Sequence, residues 1–347
     1  TGVRMTYMLG LLLAFLGGAL AEDSNRLSAE ASCCIVGASL VQTQTQTSKV
    51  PNVANKPAQA IKAVLSDVQD TGLVNWTTLV LFDGTFEPVF RCWAAHLLRS
   101  VSRSPLAAMC LDADACGGAD AWFHAWGSQL PAGSRRIGVG DLVENSQGVS
   151  LLAGDFSPRS YSAWFFTAVQ KILAQRGAGV LHSDLDAMWI ENPDTLLEHA
   201  LYRYPAADIV SQVRRGGLTR QAEKAWGFEL NAGFILFQST GPVLRMFEQE
   251  LVPQMGREGP EQKVLNEHLL RRGCRWSADA EGFHVGTCGD MQVIGLPEQD
   301  VGYPGRFVSH PFLGHSRIPG YPLIPGEHHP VQQLMSVGLC SEADFQH

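Results

Sequence analysis

At 347 residues, with 45% hydrophobic and 17% charged side chains, the chain is long and apolar enough to bury a large core, which excludes global disorder. The formal net charge of -8 and the pI near 5.7, with no dense block of Lys and Arg, argue against nucleic acid as the main partner. An acidic protein can still bind a phosphate-bearing substrate where a metal ion supplies positive charge locally.

The first residues have the pattern of a secretory signal. Arg4 precedes an apolar run from about Met8 to Leu20, which ends in Ala-x-Ala before an acidic stretch. A transmembrane helix usually needs about 20 apolar residues, so we expect residues 1–21 to be a signal peptide, with a signal anchor as the second interpretation. Either would place the rest of the protein in the secretory pathway, and we expect the Golgi lumen. Membrane contact is expected only through such an anchor.

A flexible stem is predicted to follow, because residues 22–71 are rich in Ser, Thr, Gln and Ala. The compact domain is predicted at residues 72–330, with a C-terminal tail at 331–347. The single sequon, Asn75-Trp76-Thr77, fits a protein of the secretory lumen.

Cysteine usage fits the same compartment. An even number of cysteines permits disulfides there, but eight allow on the order of a hundred full pairings, and the sequence does not choose among them. No Cys-x-x-Cys pair supports a zinc or redox site. The eight are Cys33, Cys34, Cys92, Cys110, Cys116, Cys274, Cys288 and Cys340.

Within the domain, strand and helix patterns alternate. The strand patterns are Thr77–Phe82, Leu106–Leu111, Arg136–Val139, Val180–Ser183, Ala207–Val213 and Phe228–Phe237. The helix patterns are Glu87–Val101, Ala119–Leu130, Tyr161–Gln175, Val243–Leu251 and Glu261–Arg272, and short strands follow them. This alternation predicts an α/β fold with a mostly parallel central sheet and helices on both faces.

Two carboxylates end the strand Val180–Ser183. Asp184 and Asp186 follow it directly, and ligands of open α/β sheets bind at the carboxyl ends of the strands. Carboxylates this close repel each other unless a cation or a proton lies between them. A divalent ion that carries a phosphate-bearing substrate would meet that requirement. A short acidic pair at a strand end is also common in ordinary loops, so the pair alone decides little.

Four segments in order resemble the nucleotide-diphospho-sugar transferases of glycosyltransferase family 77, which includes plant cell-wall xylosyl- and arabinosyltransferases. The segments begin at Gly179 (Gly-Val-Leu-His-Ser-Asp-Leu-Asp-Ala-Met-Trp-Ile-Glu-Asn-Pro), Leu230 (Leu-Asn-Ala-Gly-Phe), Glu261 (Glu-Gln-Lys-Val-Leu-Asn) and Leu313 (Leu-Gly-His-Ser). The likeness covers roughly residues 77–318. It implies a GT-A fold with a Rossmann-like sheet, a nucleotide-sugar donor and transfer with retention of configuration.

The resemblance also implies roles for the donor and metal sites. Asp184 and Asp186 match the family's Asp-x-Asp motif, whose carboxylates ligate Mn²⁺ or Mg²⁺ bridging the donor diphosphate. His315 matches a late histidine that completes the metal site. Arg317 stands near the place of the usual lysine and would bind the diphosphate. Asp112 matches a position that contacts the nucleoside in related folds, although an ordinary strand-end acid is the alternative.

Three residues match catalytic positions of the family. Asn231 and Gly233 fall in its Asn-x-Gly turn beside the sugar and the acceptor, although a plain turn is the alternative. Gln262 matches the Gln of an Asp-Gln pair. Glu261 replaces the Asp of that pair, and its extra methylene puts a direct catalytic role in doubt.

We therefore expect a metal-dependent hexosyl- or pentosyltransferase that moves a sugar from a nucleotide diphosphate sugar, expected to be a UDP-sugar, to a glycan or glycoprotein acceptor. A degenerate protein that binds the donor without turnover is one alternative, because Glu261 departs from the family pattern. A phosphatase of the haloacid dehalogenase type is another, since it also uses Asp-x-Asp after a buried strand. There the pair follows the first strand of the domain, whereas about a hundred residues of α/β pattern precede it here.

Overall fold

The computed structural model places most of the predicted domain. The residues that it describes are 75–143, 158–216, 218–254, 259–311, 330–336 and 338–345. The predicted signal at 1–21, the whole predicted stem at 22–71 and tail positions 337, 346 and 347 lie outside these residues. No helix in the described part of the chain is long and apolar enough to cross a bilayer.

A nine-stranded sheet forms the centre of the fold, in the order β3-β2-β1-β4-β7-β6-β10-β9-β8. Its strands are β1 Trp76–Phe82, β2 Leu106–Cys110, β3 Arg135–Gly138, β4 Gly179–Ser183, β6 Ala207–Arg214, β7 Glu229–Phe237, β8 Arg275–Ala278, β9 His284–Cys288 and β10 Met291–Leu296. Only β7 and β9 are antiparallel to both neighbours, so the other seven strands run in one direction. The predicted α/β fold with a mostly parallel sheet is confirmed.

Both faces of the sheet are covered, which explains the uninterrupted apolar strands. On β1, Val80 and Phe82 pack into one core, while Leu79 and Leu81 pack into the other. Successive side chains of a strand point to opposite faces, so a strand buried on both sides carries apolar residues throughout. Every residue of β1 is buried.

The helices divide between the two cores. The described helices are α1 Glu87–Ser100, α2 Ala113–Trp126, α3 Val139–Val143, α4 Pro158–Arg176, α5 Pro193–Arg203, α6 Arg220–Trp226, α7 Gly241–Arg245, α8 Glu261–Arg271 and α9 Pro330–Ser336. Side chains of α1, α2, α5 and α9 lie in the first core, with Trp93 fully buried at its centre. Side chains of α4, α7 and α8 lie in the second, with Phe165 fully buried.

Helix α2 begins six residues before the predicted start at Ala119 and ends before the predicted Leu130. The early start was not predicted because two successive glycines, Gly117 and Gly118, lie in this segment, and glycine destabilises the interior of a helix. Asp112 caps it by accepting a hydrogen bond from the Ala115 N–H at 2.8 Å.

Other elements depart from the sequence-based expectation. The predicted helix Val243–Leu251 divides into α7 and a π-helical turn at Met246–Leu251. Helix α5 was not predicted, although Asn192 caps it by accepting from the Asp194 N–H at 2.9 Å and Pro193 begins it. The remaining helices and strands named from the sequence are confirmed with end shifts of a few residues.

Three disulfides join six of the cysteines: Cys92–Cys340, Cys110–Cys116 and Cys274–Cys288. Cys33 and Cys34 lie outside the described residues. Cys92–Cys340 ties α1 to the segment after α9, and Arg99 of α1 binds Asp344 in the same segment at 2.8 Å.

A second, three-stranded sheet follows the order β11-β12-β5. Its strands are β5 Met188–Trp189, β11 Val301–Gly302 and β12 Val308–Ser309. It joins a segment just after β4 to one more than a hundred residues later in the chain.

We predict that Asp112→Ala destabilises the fold by about 1–2 kcal/mol, because it removes the cap of α2 and a second bond from the Gly84 N–H at 2.8 Å. Asp114→Ala is the matched control, since that exposed carboxylate lies in the first turn of the same helix. Urea unfolding of both variants measures the difference. Equal stability of the two variants would contradict the capping role.

Candidate active site

The paired carboxylates lie at the carboxyl end of β4, as predicted. The Asp184 N–H donates to the Gly233 carbonyl at 2.7 Å, which extends the β4–β7 pairing by one residue. The chain then turns, and the Ala187 N–H donates to the Asp184 carbonyl at 3.1 Å. This tight turn keeps Asp186 close to Asp184 before β5 begins.

The small sheet brings a histidine to this pair. In the antiparallel pairing of β5 with β12, Met188 lies opposite Ser309, so the residue after β12 lies beside the turn before β5. That residue is His310, whose Nε2 lies 3.1 Å from Asp186 Oδ1. One ligand atom each from Asp184, Asp186 and His310 lie within 4.8 Å of one another.

A bulge in β7 shapes the other wall. Ser211 pairs with Ile235 but the next residue, Gln212, pairs with Asn231, so the residues between are looped out of the ladder. The predicted Asn-x-Gly turn is this bulge within a strand. The Asn231 side-chain oxygen accepts from the Gly233 N–H at 2.9 Å and holds its shape.

Gly233 faces the carboxylates directly. A Cβ atom at this position would collide with Asp184 Oδ2 and lie 2.5 Å from the His310 Cε1. Only glycine leaves the space between these two side chains open. The Asn231 Nδ2 is buried beside it and has no hydrogen-bond partner among the described residues.

A histidine on β4 itself contacts Asp184. His182 is buried, with Nε2 at 3.1 Å from Asp184 Oδ1 and Nδ1 at 3.1 Å from the Leu79 carbonyl. Both partners are hydrogen-bond acceptors, so a ring nitrogen of His182 that carries a hydrogen can donate it to either of them. Burial raises the pKa of Asp184, but the hydrogen bond and charge of His182 and the charge of His310 outweigh it, and the net pKa is lowered.

The three side chains fit a hard divalent cation. Two carboxylates and one imidazole form a donor set that suits Mn²⁺, and oxygen-rich sets also suit Mg²⁺. Neighbouring ligands of an octahedral ion at ~2.1 Å lie ~3.0 Å apart. The 3.1 Å between His310 Nε2 and Asp186 Oδ1 matches that separation. The open space at Gly233 adds a cradle on the same side.

A tyrosine and a further aspartate face the same negative region. Burial raises the pKa of Tyr161 well above its usual value, and the charges of Asp184, Glu261, Asp186 and Asp83 raise it further. Its hydroxyl therefore stays protonated and can donate a hydrogen bond. Burial also raises the pKa of Asp83, which follows β1.

Glu261 lies at the start of α8, near this group. Its pKa is raised to about 7, first by burial and then by the charge of Asp184. Ser162 donates its hydroxyl to Glu261 Oε2 at 3.4 Å. The carboxyl that replaces the family's aspartate is thus held near, and electrostatically coupled to, the predicted metal ligands.

Gln262 belongs to a buried network. Its Nε2 donates to Glu229 Oε1 at 2.5 Å, and the Glu229 carboxylate also accepts from the backbone N–H groups of Leu218 and Thr219. Asn266 donates to the carbonyls of Leu230 and Gln262 and accepts from the Leu230 N–H. These bonds fix α8 against β7. A catalytic role for Gln262 stays a prediction.

The remaining predicted residues are distributed as follows. Asp112 lies at the end of β2, and both of its carboxylate oxygens accept backbone N–H groups, so its predicted contact with the nucleoside stays a prediction. His315 and Arg317 lie outside the described residues. His310 was not among the residues predicted from the sequence, because its position depends on the pairing register of β5 with β12, which no local pattern indicates.

Arg214 was also missed. It is the last residue of β6 and is half-buried, two residues after Gln212 and therefore on the same face of the strand. Burial lowers its pKa, and the charges of Glu229 and Asp186 act against that shift. A guanidinium remains charged in such surroundings. Arg214 thus brings a cation to the side of the site where Asp186 lies.

Residues 164–310 match the sequence model of the family described as nucleotide-diphospho-sugar transferase. The matched range begins in α4, includes β4 to β10 and ends at His310. No curated protein matches the chain significantly.

Comparison with solved structures found partial similarities. Mouse xyloside xylosyltransferase 1 in its apo form has 15% identity and a TM-score of 0.41, with 58% of this chain and 83% of that one covered. The galactosyltransferase LgtC with donor and acceptor sugar analogues has 14% identity and a TM-score of 0.37, with 55% and 69% covered. The glycosyltransferase GlyE of Streptococcus pneumoniae has 14% identity and a TM-score of 0.35, with 55% and 43% covered.

We predict that Glu261→Gln reduces the pH dependence of stability. The folded-state pKa of about 7 exceeds the usual 4.5, so the native protein binds more protons than the unfolded chain between these values. Wild-type stability should therefore fall as the pH rises through this window, by up to about 3 kcal/mol, and the variant should avoid that loss. Urea unfolding from pH 4.5 to 8 in the presence of a chelator measures it.

The matched control is Glu267→Gln, on the same helix and paired with Lys263. It should retain the wild-type slope. A Glu261→Gln profile that follows the wild type at every pH would show that this carboxyl is ionised normally in the folded protein.

Proposed function

We propose that this protein, whose residues 164–310 match the model of the nucleotide-diphospho-sugar transferase family, is a glycosyltransferase that moves a sugar from a UDP-sugar to a glycan or glycoprotein acceptor with the help of a bound divalent ion. The observation that carries the proposal is the convergence of Asp184, Asp186 and His310 at the carboxyl end of β4. Three ligands from separate parts of the chain meet there, at the edge of an α/β sheet where ligands bind.

Mn²⁺ or Mg²⁺ is the proposed ion, held by Asp184, Asp186 and His310. When bound, the ion would stabilise the negative charge that develops on the departing nucleoside diphosphate. His310 takes the part that the sequence resemblance assigned to His315, and the carboxylates keep theirs.

Two groups support a sugar and nucleoside pocket around the ion. The Asn231 Nδ2 is a buried donor without a hydrogen-bond partner among the described residues, and a sugar hydroxyl is a suitable acceptor for it. The protonated hydroxyl of Tyr161 is a second donor near the carboxylates. We propose that the nucleoside lies toward the ends of β1 and β2, where Asp83 and Asp112 are found.

We propose that Arg214 contributes positive charge to the donor diphosphate. A UDP-sugar diphosphate carries two negative charges, and a fixed guanidinium binds phosphate oxygens well. Retention of configuration also belongs to the proposal, on the strength of the family resemblance. The described residues suggest no obvious nucleophile for a covalent route.

We propose a secretory compartment, the Golgi lumen, for this reaction. The support is the disulfide set: three bonds join distant and local parts of the domain, and such bonds persist in oxidising compartments. The exposed Asn75 of the sequon lies at the start of β1, where an oligosaccharide could be attached.

We predict that the protein hydrolyses or transfers the sugar of at least one UDP-sugar in the presence of Mn²⁺, and that Asp186→Ala lowers this rate by about a hundredfold or more. A panel of UDP-sugars, followed by UDP release, measures the rate, and the anomeric configuration of the product tests retention. Asp120→Asn is the control, because it removes an exposed carboxylate that pairs with Arg136.

Two outcomes would contradict the proposal in different ways. Undiminished turnover by Asp186→Ala, or activity unaffected by a chelator, would remove the metal mechanism. Binding of UDP and Mn²⁺ without turnover of any donor would support the degenerate binding protein, the alternative that the Glu261 replacement favours. Hydrolysis of simple phosphate esters instead of UDP-sugars would support the phosphatase.

We predict that Arg214→Gln weakens UDP binding in the presence of Mn²⁺ by about tenfold, because one charge-assisted contact to the diphosphate is lost. Arg215→Gln is the matched control, since the neighbouring guanidinium is exposed and pairs with Glu298 at 3.0 Å. Calorimetric titration measures both affinities. Equal affinities of the two variants would exclude the contact.

A further inference from the structure

We propose that Gln212 is a positioning residue that fixes the tautomer of His310 and so presents the Nε2 lone pair of His310 to the divalent ion. This inference rests on the proposed metal centre. It assigns a role in that centre to a fully buried side chain on β6, which no local sequence pattern indicates.

The orientation of the Gln212 amide follows from its two partners. Its Nε2 donates to the Val301 carbonyl at 3.4 Å, and its Oε1 lies 2.8 Å from His310 Nδ1. A backbone carbonyl only accepts hydrogen bonds, so the amide nitrogen must face Val301. The oxygen must then face the imidazole.

The orientation of the amide sets the proton on the ring. Because Gln212 Oε1 accepts, His310 Nδ1 must donate and carries the hydrogen. In the neutral ring the other nitrogen, Nε2, then carries a lone pair in place of a hydrogen. That nitrogen faces Asp186 Oδ1 at 3.1 Å.

Two electron-rich atoms so placed need a cation between or beside them. A lone pair facing a carboxylate oxygen is unfavourable in a poorly solvated site, so Nε2 either takes up a proton or binds a cation, and a bound metal ion converts both atoms into ligands. Histidines that bind metals usually donate the other ring N–H to an oxygen, which holds the ring in place. Gln212 supplies that oxygen.

The fold holds this arrangement from two sides. The register shift between Ser211 and Gln212 changes the course of the ladder at this side chain. The carbonyl that orients the amide, Val301, lies on β11, and the neighbouring Gly302 carbonyl accepts the His310 N–H at 2.7 Å. Gln212 therefore links the central sheet to the small sheet that carries the histidine.

A purely structural link between the sheets is the competing explanation, and the experiment separates the two. The Mn²⁺ dissociation constant is measured by the electron paramagnetic resonance signal of free Mn²⁺ for wild type, Gln212→Met and Gln212→Glu. Methionine keeps the length and the unbranched shape but accepts no comparable hydrogen bond, so binding should weaken about 10- to 100-fold. Glutamate retains an acceptor at the same reach, so binding should stay within a few-fold of wild type.

A double-mutant cycle tests whether Gln212 acts through His310. In a His310→Ala background, where residual binding rests on the two carboxylates, Gln212→Met should cause no further loss. An equal loss in both backgrounds would mean that Gln212 supports the fold rather than the ring, and would overturn the inference. The ¹⁵N shifts of the metal-free protein should report His310 protonated at Nδ1 in the wild type, and a changed ring signal in Gln212→Met.

Different experimental results would overturn this inference and the proposed function. Wild-type protein that binds no Mn²⁺ would overturn the metal centre and the role of Gln212 with it. Wild-type protein that binds Mn²⁺, with Gln212→Met binding it equally well, would overturn the role of Gln212 alone. Thermal unfolding of each variant identifies any that fail to fold. If Gln212→Met fails, the ¹⁵N shifts of the metal-free wild type carry the test, and His310 found protonated at Nε2 rather than at Nδ1 would overturn the inference.

Discussion

The antiparallel pairing of β5 with β12 is the contact on which the site depends. It is only two residues long on each strand, yet it sets Met188 opposite Ser309 and so brings His310 to Asp186. Without it, Asp184 and Asp186 would lack the imidazole of His310 beside them. The short pairing is braced by β11, whose Gly302 carbonyl accepts the His310 N–H. A two-strand contact of this length is stable only as part of a larger packed unit.

The electrostatics of the site follow from this arrangement. Asp184, Asp186, Glu261 and Asp83 raise the pKa of Tyr161, and Asp184 raises that of Glu261. Negative potential therefore dominates at the carboxyl end of β4, and Arg214 and the proposed ion bring positive charge to it. A site with such an excess of carboxylates binds a phosphate-bearing substrate only through cations.

Much of this could be predicted from the sequence, because the strong signals are local. The buried strand before Asp184 and Asp186, the amphipathic helix α4 and the mostly parallel sheet follow from apolar periodicity and from the alternation of elements. His310 could not be predicted, because its role arises from a register between residues about 120 positions apart. The two backbone N–H bonds of Asp112 could not be predicted, since a helix cap and a ligand contact look alike in sequence, and its contact with the nucleoside stays a prediction. The first turns of α2 were not predicted, because the two successive glycines have low helix propensity. Intrinsic propensity is a weak guide where tertiary contacts stabilise the helix.

The Cys92–Cys340 bond has a consequence for the order in which the protein matures. Its cysteines are 248 positions apart, and a chain is synthesised from its amino terminus, so the bond closes only when nearly the whole domain exists. In the chain-entropy description such a large closed loop disfavours the unfolded chain by roughly 5 kcal/mol. His96 also links the segment of Cys340 to β5. Its Nε2 lies 2.6 Å from the Leu339 carbonyl, and its Nδ1 lies 3.1 Å from the Trp189 carbonyl on β5. Oxidation of this pair therefore comes late: it fixes the segment of Leu339 and Cys340 beside β5 only after nearly the whole domain has been synthesised.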